Sequence, residues 1–230
     1  MKEGHIMVMV HVRTKMSACE HRLRYAGMCT ACGAQNLETT GFTVHHDVRE
    51  LEVSREEASR IQDERKTSLL RMKRLSLVVD LDQTVIHCDT HTHDASLLMD
   101  TASFQLNGKT HYIKVRPGAR EFLQRMTTLF EMHVYTAGIR AYAHEVVRIL
   151  DPDRSLFGLR IVSREPSEKE GKFLSRIFPT DTSMVVILDD RVDVWENKDH
   201  VLPILPYHYF PEKHATDMQY FSQVSIFFCV

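Results

Sequence analysis

The stretch Leu75-Ser76-Leu77-Val78-Val79-Asp80-Leu81-Asp82-Gln83-Thr84-Val85 decides the fold. Residues 75–79 form a short apolar run of the kind that builds a buried strand. Asp80 and Asp82 follow at once. A strand this apolar belongs in the middle of a sheet, where burying charge costs on the order of several kcal/mol unless something compensates it. A divalent cation is the simplest compensation, because hard cations prefer carboxylate oxygen. Beside such an ion, one aspartate can attack phosphorus and form an aspartyl-phosphate, while the other protonates the leaving oxygen and later activates water. A solvated acidic loop capping the strand is the plainer alternative, and an isolated Asp-x-Asp would favour it.

Downstream, strand and helix patterns alternate. Residues 103–115 alternate around Asn107-Gly108, a dipeptide suited to the tight hairpin turn that needs positive φ at both central positions. Residues 119–129 read as a helix burying Phe122, Leu123, Met126 and Leu129. Strand 131–135, helix 139–150, a short strand near 159–163, helix 168–178 and strands 184–188 and 201–205 follow. The alternation predicts an α/β fold, with a mainly parallel sheet, right-handed crossovers and helices on both faces. Upstream, Ser54-Arg55-Glu56-Glu57 has the form of a capping box and predicts a charged helix over about 55–72, with Ala58, Ile61, Leu69 and Leu70 on a thin apolar stripe.

In such sheets a ligand lies beyond the carboxyl ends of the strands. Three further segments put polar residues there. Val185-Val186-Ile187-Leu188 is a second apolar strand ending in paired carboxylates, Asp189 and Asp190, a coincidence hard to hold without a cation. Thr136, followed by Ala137-Gly138, suits phosphate binding, though threonine before glycine is also common in turns. Lys172 lies at the start of the helix predicted over 168–178, where a cation opposes the helix dipole unless an anion sits nearby. A solvated surface lysine is the alternative.

The 230 residues are 43% hydrophobic and 26% charged, the balance of a globular domain with room for a small appendage. No run of about 18 apolar residues exists, so no membrane partner is expected. Residues 1–16 carry too short an apolar stretch for a signal peptide. With 29 basic against 31 acidic residues, the chain lacks the broad basic surface of a salt-driven nucleic-acid binder, and no direct nucleic-acid binding is expected. Five cysteines, an odd number without an export signal, argue for a reducing compartment. Cys19-x-His21 and Cys29-x-x-Cys32 form a candidate structural Zn²⁺ site, with a flexible arm of reduced thiols as the alternative.

Taken together, Asp80-Leu81-Asp82-Gln83-Thr84-Val85-Ile86-His87, Val115-Arg116-Pro117-Gly118, Tyr135-Thr136-Ala137-Gly138 with Ala141-Tyr142-Ala143, Ser163-Arg164 and Asp189-Asp190-Arg191-Val192-Asp193-Val194-Trp195 resemble the haloacid-dehalogenase superfamily. Within it, they are similar to the RNA polymerase II C-terminal-domain phosphatases of the large transcription-factor-F-associated type. The resemblance covers about residues 49–210. It implies a Rossmann-like haloacid-dehalogenase fold with a small β-hairpin insertion. It divides the chain into an N-terminal arm (1–48), a helical arm (49–74), a phosphatase catalytic domain (75–217) and a C-terminal tail (218–230).

The same resemblance implies Asp80 as nucleophile and Asp82 as general acid/base. Mg²⁺ is then held by Asp80, Asp190 and the backbone carbonyl of Asp82. Thr136 and Lys172 bind the transferring phosphoryl group, and Asp189 orients Lys172 or the water around the metal. Arg116, Tyr142 and Arg164 line a substrate groove, although Arg116 could simply cap a strand and Tyr142 could be core. Trp195 reads as a packing residue. The implied partner is the phosphorylated C-terminal tail of RNA polymerase II, with general transcription factors beside it, in the nucleus. The BRCT domain of larger relatives has no counterpart in these residues. A phosphatase of other phosphoproteins or small phosphomonoesters, and a non-catalytic phosphopeptide-binding module, are the competing readings. A small-metabolite phosphatase would need a cap insertion, for which residues 86–115 leave room only for a hairpin.

Overall fold

The computed structural model describes residues 19–35, 41–45, 48–91, 94–164 and 171–211. The expected tail at 218–230 lies outside them. At the N-terminal end, β1 (Leu23–Tyr25), β2 (Met28–Cys29), β3 (Phe42–His45) and β4 (Val48–Val53) form an antiparallel sheet in the order β2-β1-β4-β3. The expected division between 48 and 49 falls inside β4. Strands of two to six residues carry too little alternation to be read locally. They are specified by pairings such as Leu23 with Val53.

α1 (Arg55–Arg71) begins where the capping box places it, with the Ser54 side chain accepting from the Glu57 N–H at 3.2 Å. The helix packs onto the parallel-sheet part of the chain. Arg65 Nε donates to Glu131 Oε1 at 2.6 Å, Lys66 pairs with Asp181, and the Gln62 side-chain carbonyl accepts from Thr180 N–H at 3.1 Å.

β5 (Leu75–Val79) leads through β6 (Ile86–Asp89) and the short α2 (Ala95–Leu98) to the hairpin of β7 (Ala102–Leu106) and β8 (Lys109–Val115). Asn107 and Gly108 take φ of 51° and 73°, as the two-residue turn demands. β6 pairs with β8, giving a three-stranded insertion. α3 (Ala119–Met126), β9 (Phe130–Ile139), α4 (Arg140–Leu150), β10 (Ile161–Arg164), β11 (Val185–Asp189) and β12 (Val201–Pro203) follow. The five-stranded sheet runs β10-β9-β5-β11-β12, parallel throughout.

Alternation along the central strands splits the core. Leu77, Val79, Met132 and Val134 pack with Leu123 of α3 and Val146 and Leu150 of α4. Val78, Tyr135 and Ile187 face the other way, against Leu174, Phe178 and Trp195. α1 flanks this second face, with Arg65 lying 4.8 Å over the Phe178 ring.

Two expected helices are shorter than their patterns. α3 stops at Met126, and Leu129, expected in the core, is 53% exposed. Its carbonyl instead accepts from Leu75 N–H at 3.0 Å, so residues 127–129 serve as the turn into β9. Of the helix expected over 168–178, residues 168–170 lie outside the described residues. The rest holds a single 3₁₀ turn, Leu174–Arg176. Gly171, at φ 119°, sets a backbone incompatible with an α-helix at that position.

His133 is buried on the second face, contacting Arg65 and the Phe178 ring. Burial lowers its pKa from 6.5 to about 4, against the pull of Glu131 and with help from Arg65 and Arg160. The folded state therefore refuses a proton that the unfolded chain accepts, and stability falls as pH drops from 6.5 toward about 4. We expect His133→Gln to flatten the pH dependence of urea unfolding by roughly 2 kcal/mol between pH 7 and about 5, measured as the difference from wild type. Parallel curves for the two proteins would reject a neutral buried His133.

Candidate active site

Asp80 leaves β5 into a tight turn. Val85 and Ile86 N–H groups both donate to Leu81 O, at 3.0 and 3.1 Å. Gln83 sits at φ 61°, a left-handed conformation costing a non-glycine residue about 1–2 kcal/mol. Leu81, Val85 and Ile86 are buried beneath the turn, and Thr84 is buried with them. β11 lies beside β5, with Leu188 opposite Val79, so its end delivers Asp189 and Asp190 to the same sheet edge. Carboxylate oxygens of Asp80, Asp189 and Asp190 lie within 4.8 Å of one another. The expected pair Asp80 and Asp190 is thus joined by Asp189.

Lys172 Nζ donates to Asp80 Oδ1 at 2.5 Å and to Asp189 Oδ2 at 2.7 Å. It arrives from an extended bridge rather than a helix start, with Lys172 N–H donating to Val194 O at 2.7 Å. The dipole argument for this residue fails, but the anion it anticipates is there. Asp189 also accepts from Trp195 Nε1 at 2.7 Å and from Arg191 N–H at 2.8 Å. Three donors hold it, and it in turn aims Lys172. Asp190 accepts from the Thr84 hydroxyl at 3.1 Å, while its own N–H donates back to that oxygen at 3.1 Å.

Three carboxylates against one ammonium leave negative charge in excess. Burial, resisted by Lys172 and reinforced by Asp189, pushes the Asp80 carboxyl up to about 7. Burial likewise raises Asp82 against a hydrogen bond from Tyr142, and Asp190 against one from Thr84. For Lys172, burial disfavours the charge, but Asp80 and Asp189 outweigh it and its pKa is raised. An all-oxygen donor set with excess negative charge fits a hard divalent cation such as Mg²⁺.

On α4, the buried Tyr142 donates its hydroxyl to Asp82 Oδ1. Gly138 permits this approach, since a Cβ there would lie 2.5 Å from Tyr142 Cδ1. Thr136, buried near the end of β9, accepts from Gly138 N–H at 2.9 Å. An open cleft of about 500 Å³ lies beside them, between the β7–β8 hairpin and α4, lined by Asp82, Cys88, Leu106, Lys109, His111 and Tyr142.

The other two expected groove residues are Arg116 and Arg164. Arg116 Nη1 donates to Thr84 O at 3.1 Å and Leu205 O at 2.9 Å, and its guanidinium lies over Tyr207. Arg164 is exposed at the last position of β10. Two contributors escape the sequence reading. Thr84 stands there only as part of a motif, and Trp195 reads as packing, although a buried indole N–H requires an acceptor. Cys19, His21, Cys29 and Cys32 also converge, in a separate cluster.

A profile of the NLI interacting factor-like phosphatases matches residues 75–227. An RNA polymerase II C-terminal domain phosphatase of Schizosaccharomyces pombe is 40% identical over 220 residues, covering 84% of this chain and 30% of the relative. The human protein of the same name is 34% identical over 226 residues, covering 90% of this chain and 23% of the relative. The chain therefore spans under a third of these curated relatives. A solved structure described as Fcp1, an essential RNA polymerase II CTD phosphatase, superimposes with a TM-score of 0.60 at 41% identity, over 66% of this chain and 47% of that one. A fission-yeast Fcp1 structure bound to beryllium fluoride gives 0.58, also at 41% identity, over 64% of this chain and 46% of that one.

The charge imbalance has a direct consequence. We expect Lys172→Met to destabilise the fold by roughly 3–5 kcal/mol, because Asp80 and Asp189 lose their buried cation. MgCl₂ should then raise its melting temperature more than it raises that of wild type. Equal shifts for the two proteins would show that Lys172 does not compete with a cation for these carboxylates, and no shift in either would remove the cation site.

Proposed function

The chain belongs to the NLI interacting factor-like phosphatase family, and from that premise we propose that it is a Mg²⁺-dependent protein serine phosphatase acting on the phosphorylated C-terminal tail of RNA polymerase II. The observation carrying this reading is the meeting of Asp80, Lys172, Asp189 and Asp190 at one sheet edge, with Asp82 beside them. The compartment is then the nucleus, with general transcription factors at the polymerase as further partners.

In this mechanism an Asp80 carboxylate oxygen attacks phosphorus as the serine ester oxygen departs. Protonated Asp82 gives that oxygen its proton, and its raised pKa supports the assignment. Asp82 next takes a proton from water, which attacks the aspartyl-phosphate and frees Asp80 and inorganic phosphate. Lys172 and the Thr136 hydroxyl face the phosphoryl oxygens, where charge stabilisation lowers the barrier. Asp189, anchored by Trp195, keeps Lys172 aimed. Tyr142 holds the Asp82 carboxyl in register for both transfers. Asp80, Asp190 and the backbone carbonyl of Asp82 would hold Mg²⁺, which when bound would offset charge on the transferring group.

The open cleft beside Asp82 favours an extended peptide over a small metabolite, because nothing closes over it among the described residues. Arg116 and Arg164 belong to the periphery of this reading. The test is phosphate release from singly phosphorylated tail heptads and from sugar phosphates, with and without Mg²⁺. We expect release from the peptides only with Mg²⁺, and little from the sugars. Asp80→Asn should lower kcat by at least about 10³-fold while keeping a folded circular-dichroism spectrum. Beryllofluoride with Mg²⁺ should raise the melting temperature of wild type and not of Asp80→Asn. Turnover by Asp80→Asn at the wild-type rate would remove the nucleophile, and a preference for sugar phosphates would overturn the substrate.

A further inference from the structure

Cys19, His21, Cys29 and Cys32 bring one ligand atom each to within 4.8 Å of one another. Cys19 Sγ lies 3.7 Å from Cys29 Sγ, and Cys32 Sγ lies 3.4 Å from His21 Nδ1. A disulfide needs about 2.05 Å between sulfurs, so the first pair is not one. These spacings are close to the edges of a zinc tetrahedron. Zn–S bonds of about 2.3 Å put two sulfurs roughly 3.8 Å apart, and a Zn–N bond of about 2.0–2.1 Å brings sulfur and nitrogen to roughly 3.5–3.6 Å.

The backbone shapes this convergence before any side chain is considered. β1 and β2 pair through Arg24 and Cys29, and the chain turns between them at Ala26 and Gly27 with φ of 49° and 76°. After Cys29 it turns again. Gly33 N–H donates to Cys29 O, and Cys29 N–H donates to Ala34 O, both at 2.9 Å, with Gly33 at φ 73°. Cys29 and Cys32 thus flank a tight knuckle, and Cys19 and His21, in the segment leading into β1, lie beside it.

Packing supplies an independent argument. Between residues 19 and 35 only Arg24 and Cys29 are buried, while Leu23, Tyr25 and Met28 are 39%, 53% and 42% exposed. A hairpin with no apolar interior does not hold itself together, and small elements of this kind rely on a staple. Three thiols and an imidazole select a borderline-soft ion over Mg²⁺ or Ca²⁺.

We propose that Cys19, His21, Cys29 and Cys32 form a closed, structural Zn²⁺ site that staples the β1–β2 hairpin. With four protein ligands it has no position open to substrate, and its ligand set is separate from the carboxylates that hold Mg²⁺. Through Arg22 O, which accepts from Ser54 N–H at 2.9 Å, and through Arg55, lying 5.2 Å over Phe42, the stapled sheet braces the first turn of α1. Folding of residues 19–35 is then linked to metal, whereas the parallel sheet folds without it.

The test uses the full chain, purified without chelator or added metal, and does not read phosphatase activity. We expect about one Zn²⁺ per chain, retained by Asp80→Asn and lost by Cys29→Ser and by Cys32→Ser. Co²⁺ exchanged into wild type should show the intense visible absorption and sulfur charge-transfer bands of tetrahedral thiolate coordination. Hydrogen exchange should show residues 19–35 losing protection in Cys32→Ser or on strong chelation, with β5, β9 and β11 unchanged. Zinc lost equally from Asp80→Asn, or a hairpin equally protected with and without metal, would overturn the proposal.

Discussion

Lys172 meets Asp80 and Asp189 below the surface, at distances of 2.5 and 2.7 Å, where a charge without a partner would be severely penalised. One ammonium cannot balance three carboxylates, and the remaining negative charge organises its surroundings. Trp195 gives its indole N–H to Asp189, Thr84 gives its hydroxyl to Asp190, and Tyr142 gives its hydroxyl to Asp82. Each of these donors is itself buried, so the site is held by groups that also pack the core. The same excess charge that strains the isolated fold is what a hard divalent cation would offset.

Adjacent parallel strands make the arrangement cheap in backbone terms. β5 and β11 are neighbours in register, so the carboxylates following each apolar run arrive at one edge without a long loop. Lys172 comes from the connection between β10 and β11 and Trp195 from the connection between β11 and β12, and the bridge between them places both against Asp189. The β7–β8 hairpin and α4 wall the cleft on either side of Asp82. α1 and the N-terminal sheet stand on the opposite flank, attached through Arg65, Lys66 and the cap at Ser54.

Several of these features are legible one residue at a time. Apolar runs ending in Asp80 and Asp189-Asp190 mark both central strands and the acidic edge. Asn107-Gly108 marks the hairpin, and Ser54 with Glu57 marks the start of α1. Lys172 is legible with the wrong local structure, because Phe173, Leu174, Ile177 and Phe178 match a helical period while lying around a single 3₁₀ turn. Leu129 matches the α3 stripe but sits in the turn beyond it. The four-stranded N-terminal sheet leaves no periodic trace, since its strands are too short and the pairing that joins its two hairpins, β1 with β4, is distant in sequence.

Sequence alone determined the strand order of chemistry: which segments are apolar enough to be central, and which acids, hydroxyl and lysine leave their ends. That information is local, carried by burial preference and period. Only tertiary structure decided which groups touch. It turned Trp195 from packing into an acceptor's partner, committed Arg116 to backbone carbonyls, and set Tyr142 on Asp82 through the space left by Gly138. Hydrogen bonds between side chains tens of residues apart depend on ångström-scale placement after the sheet has closed, and no spacing along the chain encodes that.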